Sequence, residues 1–236
     1  MFQRALTPHV ILFSGAPDDD TAHRWLLHQL DSLLAPTYIT GPLTSPVKGN
    51  LGEGITFCIG DTFDFAGMRS AGANLKSCTA AISKPDIDIV WIHFSHDPSE
   101  DRLWLQEVKT TGAANLSYAD ELITDYDKLF DAEPRLTLQA RLGGIATDFR
   151  FLAHDLDATE RILNLAEESL SPGQCTRISL VPTIVHQRPD AEANVKLLAV
   201  RTTLISRGWG GNRVTPWSIR FGQLNDRLER LSHGHE

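Results

Sequence analysis

Hydrophobic and polar positions along the chain follow two periods, which predict the order of its strands and helices. Short runs of β-branched and aromatic residues are typical of strands, and they lie at residues 8–14, 75–82, 84–93, 103–110 and 175–186. Apolar residues three and four positions apart are typical of one helix face, and they lie at residues 21–34, from about residue 51 onward, and at residues 118–130, 135–152 and 159–170. This mixture of segments predicts an α/β protein.

Two of the predicted strands lie on either side of a short polar segment. Residues 84–93 and 103–110 flank residues 97–101, which read Asp, Pro, Ser, Glu and Asp. These residue types favour turns, so the two strands are expected to form a β-hairpin. The second strand opens with Leu, Trp and Leu, which indicates that the hairpin is buried.

Charged residues occupy unusual positions in this hairpin. Because side chains alternate between the two faces of a strand, Asp86 and Asp88 share a face with apolar residues of the first strand. Glu107 and Lys109 share a face with apolar residues of the second strand. Burying an unpaired charge costs on the order of several kcal/mol, so such charges are normally paired or bound to a metal. The pattern therefore predicts three carboxylates and one ammonium group at a common site.

This combination of residues suits metal-dependent hydrolysis of phosphodiester bonds. Carboxylates on adjacent strands can hold a hard cation, Mg²⁺ or Mn²⁺, which polarises a phosphate and lowers the pKa of a bound water. Lys109, on the same strand face as Glu107, can orient that water or stabilise developing charge. The Glu-x-Lys triplet by itself is more typical of a salt-bridged surface hairpin.

Pro85-Asp86 followed by Glu107-Val108-Lys109 resembles the signature of the PD-(D/E)xK nuclease superfamily. The resemblance implies an α/β fold with a restriction-endonuclease-like αβββαβ core, in which helices flank a mixed central sheet, and with extra N- and C-terminal elements. In this superfamily the metal-binding aspartate commonly opens an apolar run. That position corresponds to Asp88, and Asp86 stays open as the alternative.

The same resemblance assigns a role to a glutamate on the helix before the sheet. Glu53 lies where that residue would fall, so the implied metal ligands are Glu53, Asp86 or Asp88, and Glu107, and the implied catalytic set is Glu53, Asp88, Glu107 and Lys109. The alternative for Glu53 is a carboxylate near a helix N-terminus that the helix dipole favours.

Residues 45–130 are similar, more narrowly, to the nuclease subunit of the bacterial Hachiman-type anti-phage defence pair, which works with a separate helicase. The similarity rests on Leu51-Gly52-Glu53, the aspartate strand and Glu107-Val108-Lys109-Thr110. It implies a nuclease that acts on DNA and has a helicase or ATPase partner. The alternatives are a stand-alone restriction-like endonuclease and a catalytically silent interaction subunit that keeps the nuclease fold.

Length and composition set the expected organisation. The 236 residues predict a single domain with an N-terminal extension (1–45), a catalytic core (46–186) and a basic C-terminal region (187–236). No apolar run is long enough to cross a membrane, and the N-terminus does not read as a signal peptide. The three cysteines are too few and too widely spaced for a disulfide framework or a zinc site, so a cytoplasmic location is expected.

The charge balance points to a partner. A net charge of −8 argues against a stand-alone, high-affinity DNA-binding protein. Within the basic C-terminal region, residues 207–213 are expected to form a flexible loop in which Arg207 and Arg213 contact phosphate and Trp209 stacks on a base or a sugar. Alternatively, this region packs on the core through Trp217 and Phe221. The chain has no Walker motif, so it is not expected to hydrolyse ATP by itself.

Two further patterns predict positions in the fold. Pro182 favours an edge position or a bulge for the strand at residues 175–186, because proline donates no ladder hydrogen bond. The helix at residues 118–130 is expected to turn an acidic face, with Asp120, Glu121, Asp125 and Asp127, away from nucleic acid.

Overall fold

A mixed seven-stranded sheet organises the part of the chain that the structure, a computed structural model, describes: residues 2–15, 20–33, 42–63, 73–75, 87–130, 137–148, 155–168 and 170–233. The strands are β1 (Gln3–Thr7), β2 (Val10–Ser14), β3 (Ala73–Leu75), β4 (Ile89–His93), β5 (Arg102–Thr111), β6 (Ile178–His186) and β7 (Trp217–Arg220). The helices are α1 (Asp20–Leu33), α2 (Ser45–Thr62), α3 (Glu121–Asp127), α4 (Leu138–Asp148), α5 (Leu156–Glu167), α6 (Asp190–Ser206) and α7 (Leu224–Ser232). The predicted α/β class is confirmed.

The centre of the sheet is parallel and its two edges are antiparallel. The strand order is β1-β2-β7-β6-β5-β4-β3, in which β5, β6, β7 and β2 are parallel neighbours. The strand β1 is antiparallel to β2, and β4 and β3 continue antiparallel from β5. One sheet therefore joins the predicted extension, core and C-terminal region.

The N-terminal elements largely match their predictions. The strand at residues 8–14 and the helix at residues 21–34 are confirmed by β2 and α1. The hydrophobic pattern does not predict β1, because four of its five side chains are exposed. Helix α2 begins earlier than expected, at Ser45, with Pro46 in its first turn, where a missing N–H removes no helical hydrogen bond.

The predicted hairpin is confirmed. Strands β4 and β5 pair antiparallel with Ile89 opposite Gln106, and the connecting turn is stabilised by the Asp97 carboxylate, which accepts a hydrogen bond from the Ser99 backbone N–H at 2.9 Å. Asp88 lies directly before β4, whereas Asp86 lies outside the described residues. The strand expected at residues 75–82 is confirmed only at Leu75, since residues 76–86 are also outside the described part.

Side-chain alternation along the hairpin divides its residues between two hydrophobic cores. Val90, Leu103 and Leu105 belong to a core shared with α3, α4, α5 and α6. Trp104 and Val108 belong to a second core, on the other face of the sheet, shared with α1, α2 and α7. By the same alternation, Glu107 and Lys109 lie on the face covered by the first group of helices. The fold thus sets both charged residues against α3 and α4.

Strand β6 occupies the interior of the sheet, so the edge position predicted from Pro182 is wrong. Its whole length pairs with β5 on one side, and Thr183–His186 pairs with β7 on the other. Pro182 lies between an isolated bridge, Leu180 to Val214, and the first β7 pair at Thr183. An interior proline is tolerated because it falls in the gap between these two pairings.

The C-terminal region completes the sheet and one of its cores. Trp217 and Phe221 are only 2% and 3% exposed, and both belong to the core shared with α1, α2 and α7. The alternative in which this region packs on the core is therefore confirmed. Among the described residues, no helix is both long and apolar enough to span a bilayer.

A buried histidine ends the interior strand β6. His186 is fully buried, its Nε2 lies 2.7 Å from Ser218 Oγ, and its Nδ1 accepts the Arg188 backbone N–H at 3.1 Å. Because Nδ1 accepts, the ring proton of the neutral form resides on Nε2 and is donated to Ser218. Burial lowers the pKa of His186 to about 4, while Asp190 raises it and Arg220 lowers it by smaller amounts.

This histidine is expected to make the fold less stable in acid. Between pH 6.5 and 4 the unfolded chain binds a proton at this position and the folded chain does not, so the free energy of unfolding falls as the pH falls. The shift corresponds to a loss of about 3 kcal/mol across that window. Urea unfolding at several pH values should show a shallower pH dependence for His186→Gln and an unchanged one for His96→Gln, which alters an exposed histidine. If the free energy of unfolding depends on pH equally in His186→Gln and wild type, His186 is not the cause of the loss of stability in acid.

Candidate active site

The register of the β4–β5 hairpin brings Asp88 and Glu107 together. Since Ile89 pairs with Gln106, the next antiparallel step puts Asp88 opposite Glu107. Asp88 Oδ2 accepts the Val108 backbone N–H at 2.8 Å, which fixes this carboxylate against β5. Both residues are buried, at 6% and 4% exposure. Two of the predicted site carboxylates therefore share a desolvated environment.

Lys109 is paired with a carboxylate of helix α3. Its Nζ lies 2.5 Å from Asp125 Oδ2, and the two side chains are 18% and 17% exposed. The other oxygen of Asp125 accepts a hydrogen bond from Lys128 Nζ at 2.8 Å. Burial alone would lower the pKa of Lys109, but Asp125, Asp88 and Glu107 together raise it. Lys109 is therefore an ammonium ion at neutral pH.

The acidic helix face was expected to turn away from nucleic acid, but Asp125 lies at the candidate site, beside Lys109. Helical spacing puts Leu122, Asp125 and Tyr126 on one side of α3, and Leu122 and Tyr126 are buried in the core against β5. Asp125 thus turns toward the sheet. Its spacing from the apolar residues Leu122 and Tyr126 is the signal in the sequence that could have identified it as a site residue.

Tyr126 attaches α3 to the strand that carries the site. Its hydroxyl accepts the Glu107 backbone N–H at 3.1 Å and donates to the Leu105 carbonyl oxygen at 3.0 Å. Burial, followed by the nearby Glu107 charge, raises the pKa of Tyr126 well above its ordinary value. The phenol is therefore neutral and can donate its proton to the Leu105 carbonyl oxygen. Together, the two hydrogen bonds of this hydroxyl set the position of α3 over β5.

Glu107 lies between negative and positive neighbours. Arg141 of α4 approaches its Oε1 at 3.6 Å, and both side chains are 5% exposed. Burial, together with the Asp88 and Asp125 carboxylates, raises the pKa of Glu107 well above its ordinary range, while Arg141 and Lys109 lower it. A cation near Asp88 and Glu107 would relieve the repulsion between these carboxylates.

Glu53 lies on a helix that packs against the other face of the hairpin. Helix α2 comes so close to β5 that a Cβ added to Gly52 would lie 1.7 Å from Thr110 Oγ1. Glu53 is the next residue after Gly52, and its side chain is buried, with 6% exposure. Among the residues that the structure describes, no three His, Cys, Asp or Glu side chains are grouped to hold a metal ion. Asp88 and Glu107 are thus brought together without Glu53 as a third ligand.

The donor chemistry of Asp88 and Glu107 nevertheless fits Mg²⁺ or Mn²⁺. In phosphate-processing sites Mg²⁺ is commonly bound by one or two carboxylates, with waters and substrate phosphate as the other ligands. Two adjacent buried carboxylates, one of which has a raised pKa, meet this requirement. The site could accordingly accept a divalent cation together with an anionic substrate.

The residues predicted to contact nucleic acid in the C-terminal region are engaged with the protein itself. Trp209 is 3% exposed, and its ring centroid lies 5.8 Å from that of Phe130, so the prediction that it stacks on a base is wrong. Arg213 donates to the Cys175 carbonyl oxygen. Arg207 lies 3.5 Å from Asp127, with 57% of its side chain exposed. Because the loop packs on the protein, the Trp209 ring is not accessible to a nucleic-acid base.

Comparison of the sequence with protein-family models and with curated proteins found no match. The function of this chain must therefore be inferred from the residues and contacts described above.

Proposed function

We propose that this chain is a Mg²⁺- or Mn²⁺-dependent nuclease of the PD-(D/E)xK type that hydrolyses phosphodiester bonds in DNA. The observation that carries the proposal is the convergence of Asp88, Glu107 and Lys109 on one hairpin. The two carboxylates are opposite each other and buried. Lys109 follows Glu107 by two residues on the same strand face. This is the arrangement that metal-assisted phosphodiester hydrolysis requires.

The order of the elements supports the same proposal. Helix α2 is followed by the antiparallel strands β3, β4 and β5, then by helices, and then by β6, which is parallel to β5. This sequence of elements agrees with the αβββαβ core that the resemblance implies. The further strands β1, β2 and β7 lie beyond β6 in the sheet, as additions at the N- and C-terminal ends of the core.

Each residue has a distinct chemical task in this proposal. Asp88 and Glu107 would hold the divalent cation, with Asp86 as a further candidate ligand. A cation held there would polarise the phosphate and lower the pKa of a bound water. Lys109 keeps its ammonium group beside these carboxylates, where it orients the attacking water or stabilises the charge that develops on the phosphate. Burial strengthens these electrostatic interactions, because they act in a medium of low dielectric constant.

The proposal includes a helicase or ATPase partner. With that partner, the chain would be the nuclease effector of a Hachiman-type anti-phage defence pair. The support is the resemblance over residues 45–130, the net charge of −8 and the missing Walker motif. An acidic protein neutralises few DNA phosphates by itself, so a partner that holds DNA would supply the missing affinity. A stand-alone restriction-like endonuclease remains the alternative within the same chemistry.

A catalytically silent interaction subunit is the second candidate, and a specific observation favours it. Lys109 is paired with Asp125, and Glu107 lies beside Arg141. Charged side chains that are paired within the protein can stabilise the fold without taking part in catalysis. The two candidates differ in metal binding, because only the nuclease needs Asp88 and Glu107 to take up a divalent cation.

The deciding experiment measures cleavage and metal binding on the same protein. Plasmid and linear DNA are incubated with the purified chain in Mg²⁺, Mn²⁺ or EDTA, with and without the product of each neighbouring gene. Cleavage in either metal and none in EDTA is expected. Mn²⁺ at 100 times its Kd should stabilise the fold by about 3 kcal/mol. If no combination cleaves DNA and Mn²⁺ leaves the melting temperature unchanged, the silent interaction subunit is the correct reading.

A further inference from the structure

The position of Lys109 depends on a carboxylate outside the Asp-Glu-Lys set. A lysine side chain has four rotatable carbon–carbon bonds and keeps a defined position only when its ammonium group is held. In this chain Asp125 holds it, with Nζ and Oδ2 2.5 Å apart and both side chains largely covered. The holding group comes from α3, a separate element packed over the strand.

Asp125 is itself fixed by contacts on either side. The next residue, Tyr126, is attached to the backbone of β5 through Glu107 and Leu105. The second oxygen of Asp125 is bonded to Lys128 at 2.8 Å. Because one carboxylate oxygen is used by each lysine, Asp125 cannot rotate without breaking an ion pair. The hydrogen bonds that attach α3 to the hairpin therefore also fix the position of the Lys109 ammonium group.

We propose that Asp125 is a positioning residue that acts through Lys109. It holds the ammonium group on the strand face that carries Glu107, so that the lysine is aligned before substrate arrives. This inference rests on the proposed nuclease function and adds a residue that the Asp-Glu-Lys pattern does not contain. Prior alignment matters because a displacement of about 1 Å in a reacting group can lower a rate about 100-fold.

The test compares charge removal at two carboxylates of the same region. Asp125→Asn keeps the shape of the side chain and removes its charge. Asp120→Asn is the matched control, because Asp120 pairs with Lys196 at 2.6 Å, is 61% exposed, and does not contact Lys109 in the structure as described. Asp125→Glu keeps the charge at a slightly longer reach, and Asp125→Ser removes the charge with a smaller side chain in case the asparagine variant folds poorly.

Cleavage kinetics and Mn²⁺-dependent melting are measured for each variant in the metal and partner condition that supports wild-type cleavage. Asp125→Asn and Asp125→Ser should lower kcat roughly 10- to 100-fold with KM changed less than about twofold, since alignment and not substrate binding is lost. Mn²⁺ should still stabilise each variant, because Asp88 and Glu107 are intact. Asp125→Glu should recover most of kcat, and Asp120→Asn should equal wild type.

The outcomes separate this inference from the function on which it rests. If wild type cleaves DNA and Asp125→Asn cleaves equally well, the positioning role is wrong and the nuclease proposal stands. If kcat falls as much in Asp125→Glu as in Asp125→Asn, or if the loss of kcat is accompanied by a large rise in KM and by loss of the stabilisation by Mn²⁺, Asp125 has a general structural role and the inference fails. A wild-type protein that cleaves under no condition overturns both.

Discussion

Replacing Lys109 by methionine is expected to lower kcat for DNA cleavage by about 100-fold or more. Removing a group that stabilises charge in a transition state typically costs 10²- to 10³-fold, and general acid–base assistance is of similar size. Methionine fills a similar volume, so the packing of β5 against α3 should be retained. The measurement is single-turnover cleavage of a labelled duplex in the metal and partner condition that supports wild-type activity.

Lys196→Met is the matched control for Lys109→Met. Lys196 is also largely covered and pairs with a carboxylate, Asp120, but it lies on α6. Its replacement should leave kcat within about twofold of wild type, and both variants should keep the wild-type circular dichroism spectrum. Mn²⁺ should still stabilise Lys109→Met, because Asp88 and Glu107 are intact. Retention of more than a tenth of the wild-type rate by Lys109→Met would exclude the role proposed for this lysine.

Arg141→Met is expected to lower the free energy of unfolding by about 3 kcal/mol. Removing one partner of a buried ion pair costs about 3 to 5 kcal/mol, because the remaining charge is left uncompensated. A value at the lower end is expected here, since Arg141 and Glu107 are 3.6 Å apart. Urea unfolding followed by tryptophan fluorescence measures the loss. Arg188→Met, which breaks an exposed pair with Glu192, should cost less than about 1 kcal/mol.

The same variant tests whether the arginine and a divalent cation act on the same carboxylate. Arg141 lowers the pKa of Glu107, as a bound metal would. Mn²⁺ should therefore raise the melting temperature of Arg141→Met by more than that of wild type, where the guanidinium already compensates part of the charge. Equal Mn²⁺ shifts in the two proteins, or a loss of stability below about 1 kcal/mol, would show that Arg141 does not serve as the counter-ion of Glu107.

Local periodicity accounts for the parts of the site that were predictable. The alternation of strand side chains puts Glu107 and Lys109 on one face, and the polar residues between β4 and β5 predict the hairpin that brings Asp88 to Glu107. Helices α1 to α5 and strands β2, β4, β5 and β6 follow from apolar spacing, whereas α6, β7 and α7 were not predicted as separate elements. The bounds of α2 and the exposed strand β1 do not, because glycine-rich and solvent-facing segments carry little hydrophobic periodicity.

The partners of the site residues were not predictable in the same way. Asp125 and Arg141 follow Glu107 by 18 and 34 residues in the sequence, and their contacts depend on how α3 and α4 pack over the sheet. The same packing buries Trp209, which composition alone suggested as a stacking surface. The interior position of β6 depends on β7, which inserts between β6 and β2 from near the end of the sequence.

By itself, then, the sequence determined the α/β class, the central hairpin and the common face of Glu107 and Lys109. These features follow from backbone geometry within a few residues, which repeats with a fixed period. Only the tertiary structure decided which charges compensate one another, namely Lys109 with Asp125 and Glu107 with Arg141. Such pairs form between separate elements, and their geometry is set by the packing of α3 and α4 against the sheet, to which no local period applies.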